Sequence, residues 1–155
     1  MMANAQTFCL NGGKTFLPAD YFSLRYIQSS NSPFQFVIGA YHERSHRNQL
    51  HYGAVGVDMM TELISRQHSN AERSFGVSSA IGFCWQAEHE PWLYKDWPFS
   101  KRSSLGLVGE VNVQWYLTPA FTINSFLQQK ILFNPHLGRY RLLAGIGIRY
   151  RFDHY

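Results

Sequence analysis

Charge is scarce in this sequence. Asp, Glu, Lys and Arg make up 15% of its 155 residues, against about 25% in a typical soluble domain. Cysteine is scarcer still. Cys9 and Cys84 are too few for a disulfide framework and lack metal-ligand spacing, which excludes a cysteine-stapled scaffold and a zinc-finger type of site. A single bridge between them stays open. No stretch reaches the roughly 18 apolar residues of a membrane-crossing helix. No segment keeps a helical period beyond a turn or two, and there is no domain linker or low-complexity tract. The net charge of +4 comes from scattered basic residues. Without a basic stripe interleaved with aromatics, no direct nucleic-acid contact is expected.

Aromatic residues are abundant: nine Tyr, twelve Phe and four Trp, within a hydrophobic share of 45%. That excludes a disordered chain. Their arrangement has period two. In "LGLVGEVNVQWYL", residues 105–117, Leu105, Leu107, Gly109, Val111, Val113, Trp115 and Leu117 alternate with Gly106, Val108, Glu110, Asn112, Gln114 and Tyr116. Successive side chains of a strand point to opposite faces, so this reads as one long strand with an apolar and a polar side. Residues 75–88 repeat the pattern: Phe75, Val77, Ser79, Ile81, Phe83 and Trp85 alternate with Gly76, Ser78, Ala80, Gly82, Cys84, Gln86 and Glu88. Residues 140–152 do so too, with Ile146, Ile148, Tyr150 and Phe152 against Arg141, Gly145, Gly147, Arg149 and Arg151. Similar patterns cover 121–133 and 34–41, and weaker ones 21–28 and 50–63. A short eighth strand is expected between Gly13 and Pro18.

Strands of this length exceed the common five or six residues. They suit a bilayer, where a tilted strand needs about 9–11 residues. In lipid, only a closed barrel among β structures satisfies every backbone polar group. The expected fold is therefore all-β: a closed antiparallel up-and-down transmembrane barrel, most simply of eight strands, over residues 6–155. The expected lipid-facing set is Phe75, Val77, Ile81, Phe83, Leu105, Leu107, Val111, Val113, Ile146 and Ile148, with Trp85, Trp115, Tyr150 and Phe152 as interface aromatics. The inner face pairs glycines with Glu88, Glu110, Lys130, Arg141, Arg149 and Arg151. Eight-stranded barrels are only wide enough inside for side chains. These charges therefore read as a polar network plugging the lumen, with Glu110 paired to Arg141 or Arg149. An even strand number puts both termini in the periplasm, with 29–33, 65–74 and 117–120 beside them and 42–49, 89–103 and 134–138 outside.

The first five residues contain Ala3-Asn4-Ala5 before Gln6. Small-x-small is the pattern left of a signal-peptidase cut, so 1–5 read as the end of a signal peptide.

Two other architectures fit parts of the pattern. A soluble lipocalin-like barrel would turn the apolar face inward around an apolar ligand. A membrane-embedded, lipid-modifying hydrolase would need a Ser–His pair with an acid at one rim, for which Ser104, Ser125 and His136 are the available residues. The letters His42-Glu43-Arg44-Ser45-His46 match the metallopeptidase order His-Glu-x-x-His, which acts only on a helix that puts both imidazoles on one face. Here the segment follows a strand and reads as a solvated loop. No catalytic residue, metal or cofactor is expected. The long segment "AEHEPWLYKDWPF" reads as an aromatic loop over the barrel mouth, with a partner-binding surface anchored by its Trp and Tyr residues as the alternative.

The C-terminal Gly147-Ile148-Arg149-Tyr150-Arg151-Phe152 resembles the signal by which outer-membrane barrels are recognised for insertion, with Gly147, Tyr150 and Phe152 as its positions. Asp153 to Tyr155 follow it, a departure from the usual terminal aromatic. More broadly, "QTFCLNGG", "FQFVIGAYHE", "GEVNVQWYLTPAFTINSFLQQKILF" and "LGRYRLLAGIGIRYRF" are similar to the TraO conjugal-transfer proteins of Bacteroidetes, along nearly the whole chain and most strongly from Leu105 onward. The resemblance implies a small outer-membrane barrel serving a conjugative DNA-transfer apparatus, with outer-membrane lipid and other proteins of that apparatus as partners. It carries over no catalytic residue.

Overall fold

The computed structural model describes residues 6–16, 19–28, 33–45, 52–70, 73–89, 102–135 and 138–152. Eight strands follow one another: β1 (Gln6–Thr15), β2 (Asp20–Gln28), β3 (Phe34–Ser45), β4 (Tyr52–Asn70), β5 (Arg73–His89), β6 (Arg102–Tyr116), β7 (Phe121–Phe133) and β8 (Tyr140–Phe152). Each pairs antiparallel with its sequence neighbour, and β8 closes on β1 from Gln6↔Phe152 to Thr15↔Leu143. The closed antiparallel barrel expected from the alternation is the observed fold.

The strands are tilted. Following the register from Gln6 through Gln28, Phe36, Thr61, Ile81, Gly109, Gln129 and Leu142 leads back to β1 at Phe16, whose N–H donates to the Leu142 carbonyl. The circuit therefore climbs ten residues, from Gln6 to Phe16. With about 3.3 Å per residue and 4.8 Å between strands, that stagger corresponds to a tilt of about 40°.

Three segments differ from the sequence expectation. The first strand is β1, starting at Gln6 rather than between Gly13 and Pro18. Its outward residues include Phe8 and Leu10 before Gly12, while Thr7, Cys9 and Asn11 point in, so its apolar alternation is short. The expected loops at 42–49 and 65–74 are shorter than read, because β3 runs on to Ser45 and β4 and β5 leave only 71–72 between them. At that end β3 starts after Pro33, which has no N–H to give a ladder, while β4 continues to Asn70 with a register shift between Ile64 and Arg66.

The inside of the barrel is filled. Cys9, Ile27, Val37, Met60, Ala80, Cys84, Val108 and Leu132 form one buried apolar cluster, and Tyr21, Tyr41, Phe126 and Leu143 another. Glycine makes room for the second: a Cβ on Gly56 would overlap the Tyr41 ring, which lies opposite it in the β3–β4 register. Both cysteines are buried and free.

Candidate functional site

The two faces of each strand have opposite chemistry. Inward from β2, β3 and β4 come Arg25, Glu43, Asp58 and Glu62; from β5, β6, β7 and β8 come Glu88, Glu110, Lys130, Arg141 and Arg149, all buried. Among the described residues this is four cations and five carboxylates inside one small barrel. Each cation meets at least one carboxylate. Arg25 clamps Glu110 with both terminal nitrogens, at 2.6 and 2.7 Å. Arg149 does the same to Glu62, at 3.0 and 3.2 Å. Arg141 reaches Glu43 at 2.9 Å and also donates to Glu88. Lys130 lies 3.3 Å from Asp58, with its ammonium 3.1 Å from the centre of the Tyr41 ring. That ring face is negative and adds to the attraction.

Amides and hydroxyls extend these pairs into small networks. From the end of the barrel that carries Gln6 and Phe152, called the terminal end below, Gln114 bridges Ser78 and Glu62. Asn124 then donates to Asn11 and Asn112, and Asn112 to Glu110. Gln128 links Glu110 to Asp58, at 2.9 and 3.3 Å. Beyond the tyrosine layer, the Tyr41 hydroxyl donates to Gln86 at 2.7 Å, and Gln86 donates to Glu88. Charges this deep cost several kcal/mol each in lost hydration unless paired, and each of these four cations is paired with a carboxylate; the Lys130 ammonium makes its ion pair with Asp58 without a hydrogen bond among the described residues. The lumen is a plug of polar side chains.

The candidate residues fall into place unevenly. Glu88, Glu110, Lys130, Arg141 and Arg149 belong to the buried network. Arg151 does not: it points to the same side but is exposed at the terminal end, one step beyond the last carboxylate. The pairing expected for Glu110 is also different. Its partner is Arg25, while Arg141 and Arg149 go to other carboxylates. Arg25, Glu43, Asp58 and Glu62 were not singled out as lumen residues from sequence. Their signal was present: each occupies the inward parity of its strand, as Asp58 does between Val57 and Met59.

Outside, the surface is apolar. Phe75, Ile81, Phe83, Leu105, Leu107, Val111, Ile146 and Ile148 are exposed, Ile81 by 73% and Ile146 by 69%, and Val77 and Val113 share their faces. Aromatic residues bracket this surface. At the terminal end Phe75 faces Trp115 across β5–β6, and rings of Phe121, Tyr150, Phe152, Phe8 and Tyr26 touch in sequence at centroid distances of 4.4–5.6 Å. Towards the opposite end stand Trp85, Phe133, Tyr140 and Phe16, with the register row Lys14–Asp20–Arg44 beside them. On β5, Phe75 and Trp85 are ten residues apart, as are Trp115 and Leu105 on β6. Ten residues at about 3.3 Å, tilted by about 40°, rise about 25 Å along the barrel axis. Gly147 is buried, and a Cβ there would overlap the Asn11 carboxamide, so its place in the C-terminal pattern has a packing reason.

The enzyme constellations are not assembled among the described residues. Ser104 points inward and its hydroxyl donates to the Asn134 carbonyl, whereas Ser125 lies on the outward face of β7; His136 lies outside the described residues. His42 and Glu43 are consecutive residues of strand β3, so one is exposed outside and the other buried inside, and His46 lies outside the described residues. The segment is strand rather than the loop expected from sequence. The interior is also the reverse of a soluble barrel that carries an apolar ligand.

These features define a closed eight-stranded antiparallel barrel with a charged, filled interior and an apolar exterior. No protein-family model matches the sequence, and no curated protein matches it. Solved structures do. The chain is similar to the N-terminal β-barrel domain of Pseudomonas aeruginosa OprF, with a TM-score of 0.71 at 12% identity over 98% of this chain and 100% of that one. It is similar to Ail, the attachment invasion locus protein of Yersinia pestis, with a TM-score of 0.64 at 13% identity over 97% of this chain and 100% of that one. It is also similar to Neisserial surface protein A, with a TM-score of 0.64 at 9% identity over 97% of each chain. At such identities the likeness is one of fold.

Proposed function

We propose that the chain is an outer-membrane β-barrel with a structural and interaction role, not an enzyme, and that it serves a conjugative DNA-transfer apparatus. The observation that carries the membrane assignment is the outer surface. An apolar band about 25 Å tall between aromatic rims is what a transmembrane barrel presents to hydrocarbon. In water the same surface would be one contiguous apolar patch around the whole molecule, far beyond the few hundred Å² that monomeric soluble proteins expose. The charged row Lys14–Asp20–Arg44 fits the headgroup level at one edge of the band. The barrel neighbours OprF, Ail and the Neisserial protein support the same reading through their shared fold.

The termini and the two-residue connection 71–72 lie at the same end, which fits a periplasmic placement of that end. Tyr150 and Phe152 on the last strand, with Gly147, suit a signal for insertion into the membrane. The transfer role rests on the resemblance of the sequence to the TraO family. A filled lumen rules the barrel out as the conduit for DNA, so its contribution is that of a scaffold presenting its rims to partner proteins. Density fractionation of cells tests the first half: the protein should sediment with the outer membrane. Deleting the gene tests the second: transfer frequency should fall at unchanged growth. Unchanged transfer overturns the conjugation role and leaves the membrane assignment standing.

A further inference from the structure

At the terminal end the barrel mouth holds a small cavity, about 50 Å³, lined by Thr7, Gln35, Tyr116, Thr122, Arg149 and Arg151. Its lining includes two guanidinium groups, those of Arg149 and Arg151. Arg149 gives its two terminal nitrogens to Glu62, and its Nε–H is buried without a hydrogen-bond partner among the described residues. Arg151 has no ion-pair partner among the described residues, and its backbone N–H is already satisfied by the Ala120 carbonyl. The carboxylates sit deeper: Glu62 is neutralised by Arg149 beneath the cavity floor. The lining therefore combines Arg151, unpaired among the described residues, with Arg149, whose Nε–H lacks an acceptor there, and with Thr7 and Thr122, and it includes no carboxylate.

We propose that this mouth binds a single oxyanion group, a carboxylate or a phosphate carried by a ligand at the terminal end of the barrel. A planar guanidinium donates two parallel hydrogen bonds to either group, and charge-assisted bonds of this kind are about twice as strong as neutral ones. A buried N–H without an acceptor is costly, so an arriving oxygen also satisfies Arg149. The cavity volume admits the oxyanion and keeps the rest of a larger ligand outside. The inference rests on the mouth's own side chains and holds whatever solvent surrounds the barrel.

The test uses the folded full chain in nonionic detergent, with the arginine Nε–H signals followed by NMR. Inorganic phosphate and acetate are titrated separately, with sodium chloride holding ionic strength constant. Saturable shifts of the Arg149 and Arg151 signals are expected. The tighter of the two probes identifies the group as phosphate or carboxylate. Arg151→Gln should weaken binding by about tenfold, the value of one charge-assisted contact, and leave anion-free thermal melting unchanged. Arg139→Gln, an exposed arginine at the opposite end, should leave affinity unchanged. Shifts that stay linear with both anions, or an affinity that Arg151→Gln does not alter, overturn the proposal.

Discussion

The inner and outer faces of β6 are made from alternate residues of one strand, yet they obey opposite rules. Glu110, Asn112 and Gln114 point inward and all are hydrogen-bonded. Val111, Val113 and Trp115 point outward, with Val111 51% and Trp115 45% exposed. A water-soluble barrel would reverse that assignment. The difference shows that the apolar side of the strand faces outward, and that the interior is held by polar pairing together with two small apolar clusters. Outer positions then tolerate change according to their depth in the apolar band, and inner positions according to how many partners they leave behind.

Mutation can break this contrast from either side. The largest effect is expected inside. Arg141→Ala removes the guanidinium that bridges Glu43 and Glu88 and leaves the buried Glu43 carboxylate without its ion-pair partner among the described residues. Breaking a buried pair in this way costs about 3–5 kcal/mol, and denaturant unfolding in micelles should register it or show no folding at all. On the outside, Ile146→Arg places a charge midway between the aromatic rims. It should cost about 2–4 kcal/mol in vesicles, whereas Phe133→Arg near the opposite rim should cost about 0–1. That depth dependence disappears if water covers the surface.

Smaller changes sharpen the picture. Gly147→Val must push aside the Asn11 carboxamide and the backbone of Leu10, at about 1–3 kcal/mol for overpacking. Tyr41→Phe keeps the ring under Lys130 but removes the hydroxyl from Gln86. A loss of about 1 kcal/mol in the same unfolding assay is expected for one hydrogen bond. Lys14→Ala should leave the unfolding midpoint unchanged, because its ion pair with Asp20 spans 3.9 Å between side chains about four-fifths exposed.

Much of this contrast was legible in the sequence, and the legible part is what period two carries. The faces of β5, β6 and β8 follow directly from it, because a strand in a two-sided environment must alternate. β1 was misplaced because its outward run contains Gly12 after Phe8 and Leu10, too short a stretch to stand out. The ion pairs were legible as a set of charges but not as partners. Glu110 meets Arg25 rather than Arg141 because partners across the lumen are fixed by the stagger of all eight strands, which no single strand encodes. Arg151 shows the complementary limit. Its parity is inward, but parity says nothing about where the barrel ends and solvent begins.

The central claim is that the alternating strands turn their apolar side to lipid. The direct measurement dilutes urea-unfolded protein into lipid vesicles and, in parallel, into plain buffer, and records near-ultraviolet circular dichroism and particle size. The account predicts fixed aromatic signals and a defined species only with vesicles. A monodisperse, folded protein in plain buffer would contradict it.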